Sequence, residues 1–104
     1  MKSQVSRGEI GNLRRKAVDV SHLLSQMSHP QRLLILCSLA EGEKSVGELE
    51  SACEASQSAV SQFLKSMRLD GLVKSRRDGK QIFYMISDGR IFDLMKALYT
   101  IFCR

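Results

Sequence analysis

The change of hydrophobic period at Gly71 constrains this chain more than any other feature. Before it, in residues 56–71 (SQSAVSQFLKSMRLDG), Val60, Phe63, Leu64 and Met67 fall at i, i+3, i+4 and i+7, one stripe of an α-helix. After it, residues 72–77 and 81–86 read as two β-strands, and Asp78-Gly79 between them is a strong hairpin signal. Arg76, Arg77 and Lys80 cluster at the hairpin tip. The other face of the helix carries Ser58, Ser61, Gln62 and Lys65. Burial does not need these side chains. A base edge in a DNA major groove does, because Ser and Gln donate and accept there while Lys holds a phosphate. An ordinary solvated face is the competing reading, although such faces usually carry Glu/Lys pairs and Ser is a mediocre helix former. Residue types alone leave both readings open.

The preceding segments place this helix in a larger unit. Residues 1–11 read as a flexible arm ending at Gly8 and Gly11. A first helix over about 12–27 keeps Leu13, Ala17, Val20, Leu24 and Met27 on one stripe. Ser28-His29-Pro30 breaks it, and Pro30 suits the first turn of a second helix, about 30–41. That helix is apolar nearly all round and belongs in the core. Gly42 ends it. Ser45-Val46-Gly47-Glu48 has capping-box spacing for a third helix over 46–53, and Ser56 caps the polar helix at 57–70. Two short helices joined by a tight turn form a helix-turn-helix, and the basic hairpin after them is a wing. A last helix, about 88–103, has two apolar stripes: Ile91, Leu94, Leu98, Ile101 and Phe92, Met95, Tyr99, with Phe102 or Cys103. One small core cannot cover both, so the expected fold is a mainly α winged helix-turn-helix that pairs as a homodimer through its first and last helices. Residues 12–104 are the expected DNA-binding and dimerisation domain.

Charge supports a nucleic-acid partner. The 104 residues carry a net charge of +5, 43% of them being hydrophobic, enough for one small core. Positive charge gathers in residues 1–16 and 65–80, and negative charge in 41–54. A basic patch beside the polar helix attracts a phosphate backbone, while the acidic segment argues against a general coating of nucleic acid. The N-terminus has no apolar signal region and no apolar run reaches membrane-spanning length, so a cytoplasmic protein is expected, with no membrane partner. Thiols stay reduced there, and Cys37, Cys53 and Cys103 form neither a disulfide framework nor a zinc-spaced cluster. A thiol enzyme would need a CxxC or a Cys/His/Asp set, which the chain lacks. A winged helix serving only as a protein-interaction module would present an acidic or apolar wing instead of a basic one.

Four segments in order, MSHPQRLLILCSL, SVGEL, SQSAVSQFLKSMRLDGLV and RRDGKQIFYMIS, resemble the ArsR-type winged-helix repressors of bacteria over about residues 17–103. The resemblance implies a cytoplasmic homodimer in the order α-α-α-α-β-β-α. It implies binding to an inverted-repeat operator in double-stranded DNA and release of that DNA when an inducer acts elsewhere on the dimer. It assigns base reading to Gln57, Ser58, Ser61 and Gln62, and backbone contact to Lys65, Arg76, Arg77 and Lys80. Many relatives have His where this chain has Phe63, which the helical stripe turns inward as packing. Arg68 is read as structural, paired with an acidic neighbour.

Metal-sensing members of that family need a Cys-x-Cys pair in the third helix, or His and acidic residues along the last. Here the third helix has only Cys53, the last has Asp88 and Asp93 without His, and His22 and His29 are isolated. No metal or other cofactor is expected, although a metal-responsive repressor stays an alternative. LLILC and ALYTIFC are instead similar to the persulfide- and sulfide-responsive branch of BigR type. By that resemblance Cys37 and Cys103 are joined by a disulfide or polysulfide bridge on exposure to reactive sulfur species (persulfide, polysulfide), and the bridged form leaves DNA. Without the resemblance, Cys37 reads as a small hydrophobe in an apolar helix. Cys53 is read as a bystander, exposed to adventitious oxidation. HlyU-type activators, which act by displacing a silencer, share the SVGEL and SQSA-like segments, so an anti-silencer with general redox sensing is the other alternative.

Overall fold

The computed structural model describes residues 4–103. Its elements are α1 (Arg7–Met27), α2 (Pro30–Leu39), β1 (Lys44–Ser45), α3 (Val46–Cys53), α4 (Gln57–Leu69), β2 (Val73–Asp78), β3 (Gln81–Ile86) and α5 (Gly89–Phe102). This is the expected winged helix-turn-helix with one addition, the two-residue β1, which is too short to leave a period in the sequence. The sheet order is β1-β3-β2, all antiparallel, with Lys44 opposite Tyr84 and Val73 opposite Ile86.

Local chemistry sets the helix ends. Ser45 and Glu48 form the expected capping box on α3, and the Ser56 hydroxyl accepts the Ala59 N–H at 3.2 Å to start α4. The His29 Nδ1 accepts the Gln31 N–H at 3.1 Å, ahead of Pro30 at the first position of α2. One boundary differs from expectation. The non-helical arm does not extend to residue 11, because Ser6 and Glu9 form a second capping box and α1 begins at Arg7 despite Gly8 and Gly11. Residues 1–3 of that arm, and Arg104 beside Cys103, lie outside the described residues.

The turn between α3 and α4 holds Glu54 in the left-handed region, φ 51° and ψ 46°, the one non-glycine residue with positive φ among the described residues. The hairpin turn is shifted by one residue from Asp78-Gly79. Asp78 pairs with Gln81, so the loop is Gly79-Lys80, with positive φ (64°) only at Gly79. That pattern belongs to a type II′ turn, where glycine comes first.

The core lies between α2, α3, α4, the base of the wing and α5. Ile35, Leu36, Leu49, Val60, Leu64, Met67, Leu72, Ile91 and Met95 are fully buried in it. Each such side chain contributes roughly 1.5–3 kcal/mol. Met95 therefore joins Ile91, Leu94 and Leu98 on the inward stripe of α5. Ile101, expected on that stripe, lies instead with Phe92, Tyr99 and Phe102 on the exposed surface. The 21-residue α1 buries only Met27, and its Ile10, Leu13, Val18 and Leu24 stay exposed.

Candidate nucleic-acid interface and thiol pair

The face of α4 is divided as its sequence implies. Val60, Leu64 and Met67 are buried, and Phe63 is half-buried against the His29 ring at 4.8 Å between centroids. Gln57, Ser58, Ser61, Gln62 and Lys65 are all exposed on the opposite side. Their polar atoms make no hydrogen bond or ion pair among the described residues, so they can meet a base edge or a phosphate without first breaking a protein contact.

In the wing the three expected cations divide. Arg77 and Lys80 are exposed, with no ion pair among the described residues. Arg76 is held. Its guanidinium grips the Glu43 carboxylate with two nitrogens, Nε at 3.0 Å from Oε2, lies 3.9 Å from Asp78 and covers the Phe83 ring at 4.9 Å. Hydrogen bonding to Arg76 holds the Glu43 carboxyl below its usual range, and Glu43 in turn keeps the guanidinium charged. This partner lies 33 residues away in sequence, beyond any local pattern. Arg76 ties the hairpin to the segment before β1.

A second arginine was not visible in the sequence pattern at all. Arg32 on α2 donates from Nη1 to the Gln26 carbonyl at 2.7 Å and to Asp70 Oδ2 at 3.3 Å, and from Nη2 to the Ser66 hydroxyl. Asp70 thus pairs with Arg32 and not with Arg68, whose guanidinium reaches the Ser75 hydroxyl at 3.4 Å. That corrects the expected acidic partner for Arg68.

The thiols occupy three different environments. Cys37 is half-buried on α2, with Sγ 3.7 Å from Met95 Sδ on α5. It borders a groove of about 530 Å³ that also contains Ser38, Ala52, Lys96, Tyr99 and Thr100. Burial pushes the Cys37 thiol up, and Cys103 adds a smaller rise. Cys103 is exposed at the C-cap of α5, its N–H donating to the Tyr99 carbonyl at 2.9 Å. Cys53 is only 5% exposed and its thiol is pushed up by burial, which corrects the reading of it as accessible to oxidants. Among the described residues no three His, Cys, Asp or Glu side chains converge as a metal site would require, and no helix is long and apolar enough to cross a membrane.

A helix-turn-helix with a polar second helix and a basic wing defines a winged-helix DNA-binding regulator. The chain belongs to the ArsR family. The family profile described as "Bacterial regulatory protein, arsR family" matches residues 29–75. The biofilm growth-associated repressor of Xylella fastidiosa is 46% identical over 92 residues, 88% of this chain and 81% of the relative. The transcriptional activator HlyU of Vibrio cholerae is 43% identical over 82 residues, 79% of this chain and 76% of the relative. The crystal structure of the transcriptional repressor BigR from Xylella fastidiosa superposes with a TM-score of 0.84 at 45% identity, covering 90% of this chain and 96% of that one. Regulators of this family bind DNA and are not enzymes.

Proposed function

We propose that this protein is a homodimeric transcriptional repressor that releases its operator when Cys37 and Cys103 become linked through sulfur. One observation carries the DNA part. The exposed side of α4 is a set of uncommitted Ser, Gln and Lys side chains on a rigid, capped helix, flanked by Arg77 and Lys80. Gln57, Ser58, Ser61 and Gln62 read base edges, and Lys65, Arg77 and Lys80 hold phosphates. Arg76 orients the wing through Glu43. The exposed apolar residues of α1 and α5 cover each other across a two-fold axis, which sets two reading helices about one DNA turn apart on an inverted repeat. The similarity to a repressor at 46% identity supports repression.

The sulfur part rests on Cys37 of α2, half-buried with its sulfur against Met95 of α5, and on Cys103 at the exposed end of that same α5. Cys103 is exposed and attacks first, whereas burial keeps Cys37 protonated at rest. The Cys103 thiolate attacks an internal sulfur of a polysulfide and expels a shorter polysulfide. Cys37 then attacks the sulfur next to the end of the tethered chain, breaking its bond to the terminal sulfur, which leaves with the Cys37 proton as hydrosulfide. Polysulfide is the oxidant, two thiols lose two electrons, and sulfur atoms remain in the bridge. The bridge fixes α2 against α5 and so changes the spacing of the reading helices.

The test is anaerobic. Reduced protein is treated with inorganic polysulfide, and a separate sample with peroxide, before peptide mapping by mass spectrometry. A Cys37–Cys103 peptide pair carrying added sulfur, absent after peroxide, is the expected result. Unmodified thiols would remove the mechanism. The 43% identity to HlyU favours a second reading, an activator with general redox sensing, for which peroxide would form the same link without added sulfur.

A further inference from the structure

The last carbonyls of α1 and the last turn of α4 converge on one side chain from a third helix. Each helix C-terminus carries a partial negative charge and carbonyls without helical partners. The last turn of α1 contains no basic residue, and that of α4 contains Arg68. Arg32 supplies one to α1 and adds a second to α4. Its side chain is 16% exposed and reaches the Gln26 carbonyl on α1 at 2.7 Å, the Ser66 hydroxyl on α4, and the Asp70 carboxylate that follows α4 at 3.3 Å. Charge-assisted hydrogen bonds in a half-buried site are roughly twice as strong as neutral ones, and the planar guanidinium fixes their directions. The contact matters most for α1, which otherwise buries only Met27. Arg32 also stands on the same short helix as Cys37, five residues before it.

We infer that Arg32 is a positioning residue that couples the thiol-bearing α2 to the reading helix α4 and to the end of α1. A bridge between α2 and α5 shifts α2. Packing alone would let α4 and α1 slip past it, whereas the guanidinium carries the shift to both helices. The inference rests on the sulfur-switch reading, and it names the residue through which the switch acts. Lysine keeps the charge but offers one point donor in place of a fork, so Arg32→Lys should retain DNA binding and lose coupling. Ser66→Ala removes one α4 contact of Arg32 and leaves the contact with α1 in place.

The test measures affinity for a duplex selected by the reduced protein from a random pool, before and after bridging by inorganic tetrasulfide, in the full chain, Arg32→Lys and Ser66→Ala. Mass spectrometry follows the bridge, and thermal melting follows the fold. The reduced-to-bridged affinity ratio of the parent chain is expected to be about tenfold to a hundredfold, the usual range of allosteric coupling. In both variants the bridge should still form and reduced binding should stay within about tenfold of the parent, while the ratio falls to about threefold or less. A purely structural arginine would weaken both states equally and keep the ratio, and that result overturns the inference. Failure of the parent chain to form the bridge would overturn the sulfur reading and the coupling with it. A bridge in the parent that leaves its affinity unchanged would do the same.

Discussion

The reading half of the molecule, α3, α4 and the wing, and the pairing half, α1 with the outer face of α5, treat apolar residues in opposite ways. Each stripe residue of α4 other than Phe63 is fully buried in its own chain, and the face left outside is polar apart from Leu69 at the helix end. On α1 and α5 large apolar residues stay outside, Tyr99 at 62% and Phe102 at 75% exposed. Apart from Leu69, the reading half is complete within one chain. The pairing half has apolar surface that only another surface can cover.

The largest effect should come from the reading half. Leu64→Ala empties a fully buried site and is expected to cost about 2–5 kcal/mol in urea unfolding. The loss should be the same at every protein concentration. Leu13→Glu on α1 is the counterpart. It should leave a single chain almost untouched but weaken self-association about a hundredfold, about 3 kcal/mol, in sedimentation equilibrium. If this variant and the parent sediment alike, the contrast between the halves collapses.

Within the reading half the effects should divide again. Gln62→Ala is expected to cost about 1–3 kcal/mol on the preferred duplex and little on others. Arg77→Ala should weaken all duplexes similarly and lower the salt slope by about one. Arg76→Ala should leave that slope near the parent value, because Glu43 already neutralises it. An unchanged sequence preference in Gln62→Ala would mean that the face is assigned wrongly.

The smallest effect concerns the caps. The Ser45 N–H holds the Glu48 carboxyl below its ordinary 4.5, as the Ser6 N–H does for Glu9. A depressed folded value means that stability is present above pH 4.5 and is lost as pH falls through the folded value. Glu48→Gln should make the acid side of the melting profile shallower in that window, and Glu9→Gln should act more weakly because α1 buries so little. Equal profiles for parent and variants would remove the cap carboxylates from the acid response.

What the sequence made legible is what depends on neighbours along the chain. The Ser45–Glu48 box, the Ser56 cap and the stripe at Val60, Leu64 and Met67 all lie within one or two helical turns. The Ser6–Glu9 box has the same spacing, but Gly8 and Gly11 read more loudly as breakers. The Arg32–Ser66 and Arg76–Glu43 contacts span 34 and 33 residues and follow from packing, so no local pattern carries them. Met95 and Ile101 exchanged faces because α5 is apolar over most of its circumference, and periodicity cannot then separate adjacent stripes. The thiol pairing came from family resemblance, since nothing local connects Cys37 with Cys103.

Glu54 gives the turn of the helix-turn-helix an unusual tolerance to change. The residue is exposed, and burial alone would let any side chain replace it. Its left-handed backbone says otherwise. In a saturation scan this position should accept glycine and asparagine and resist valine, isoleucine and threonine, since a β-branched side chain is least compatible with positive φ. The angle between the two helices of the helix-turn-helix is thus guarded by a surface position whose selectivity comes from main-chain torsion alone.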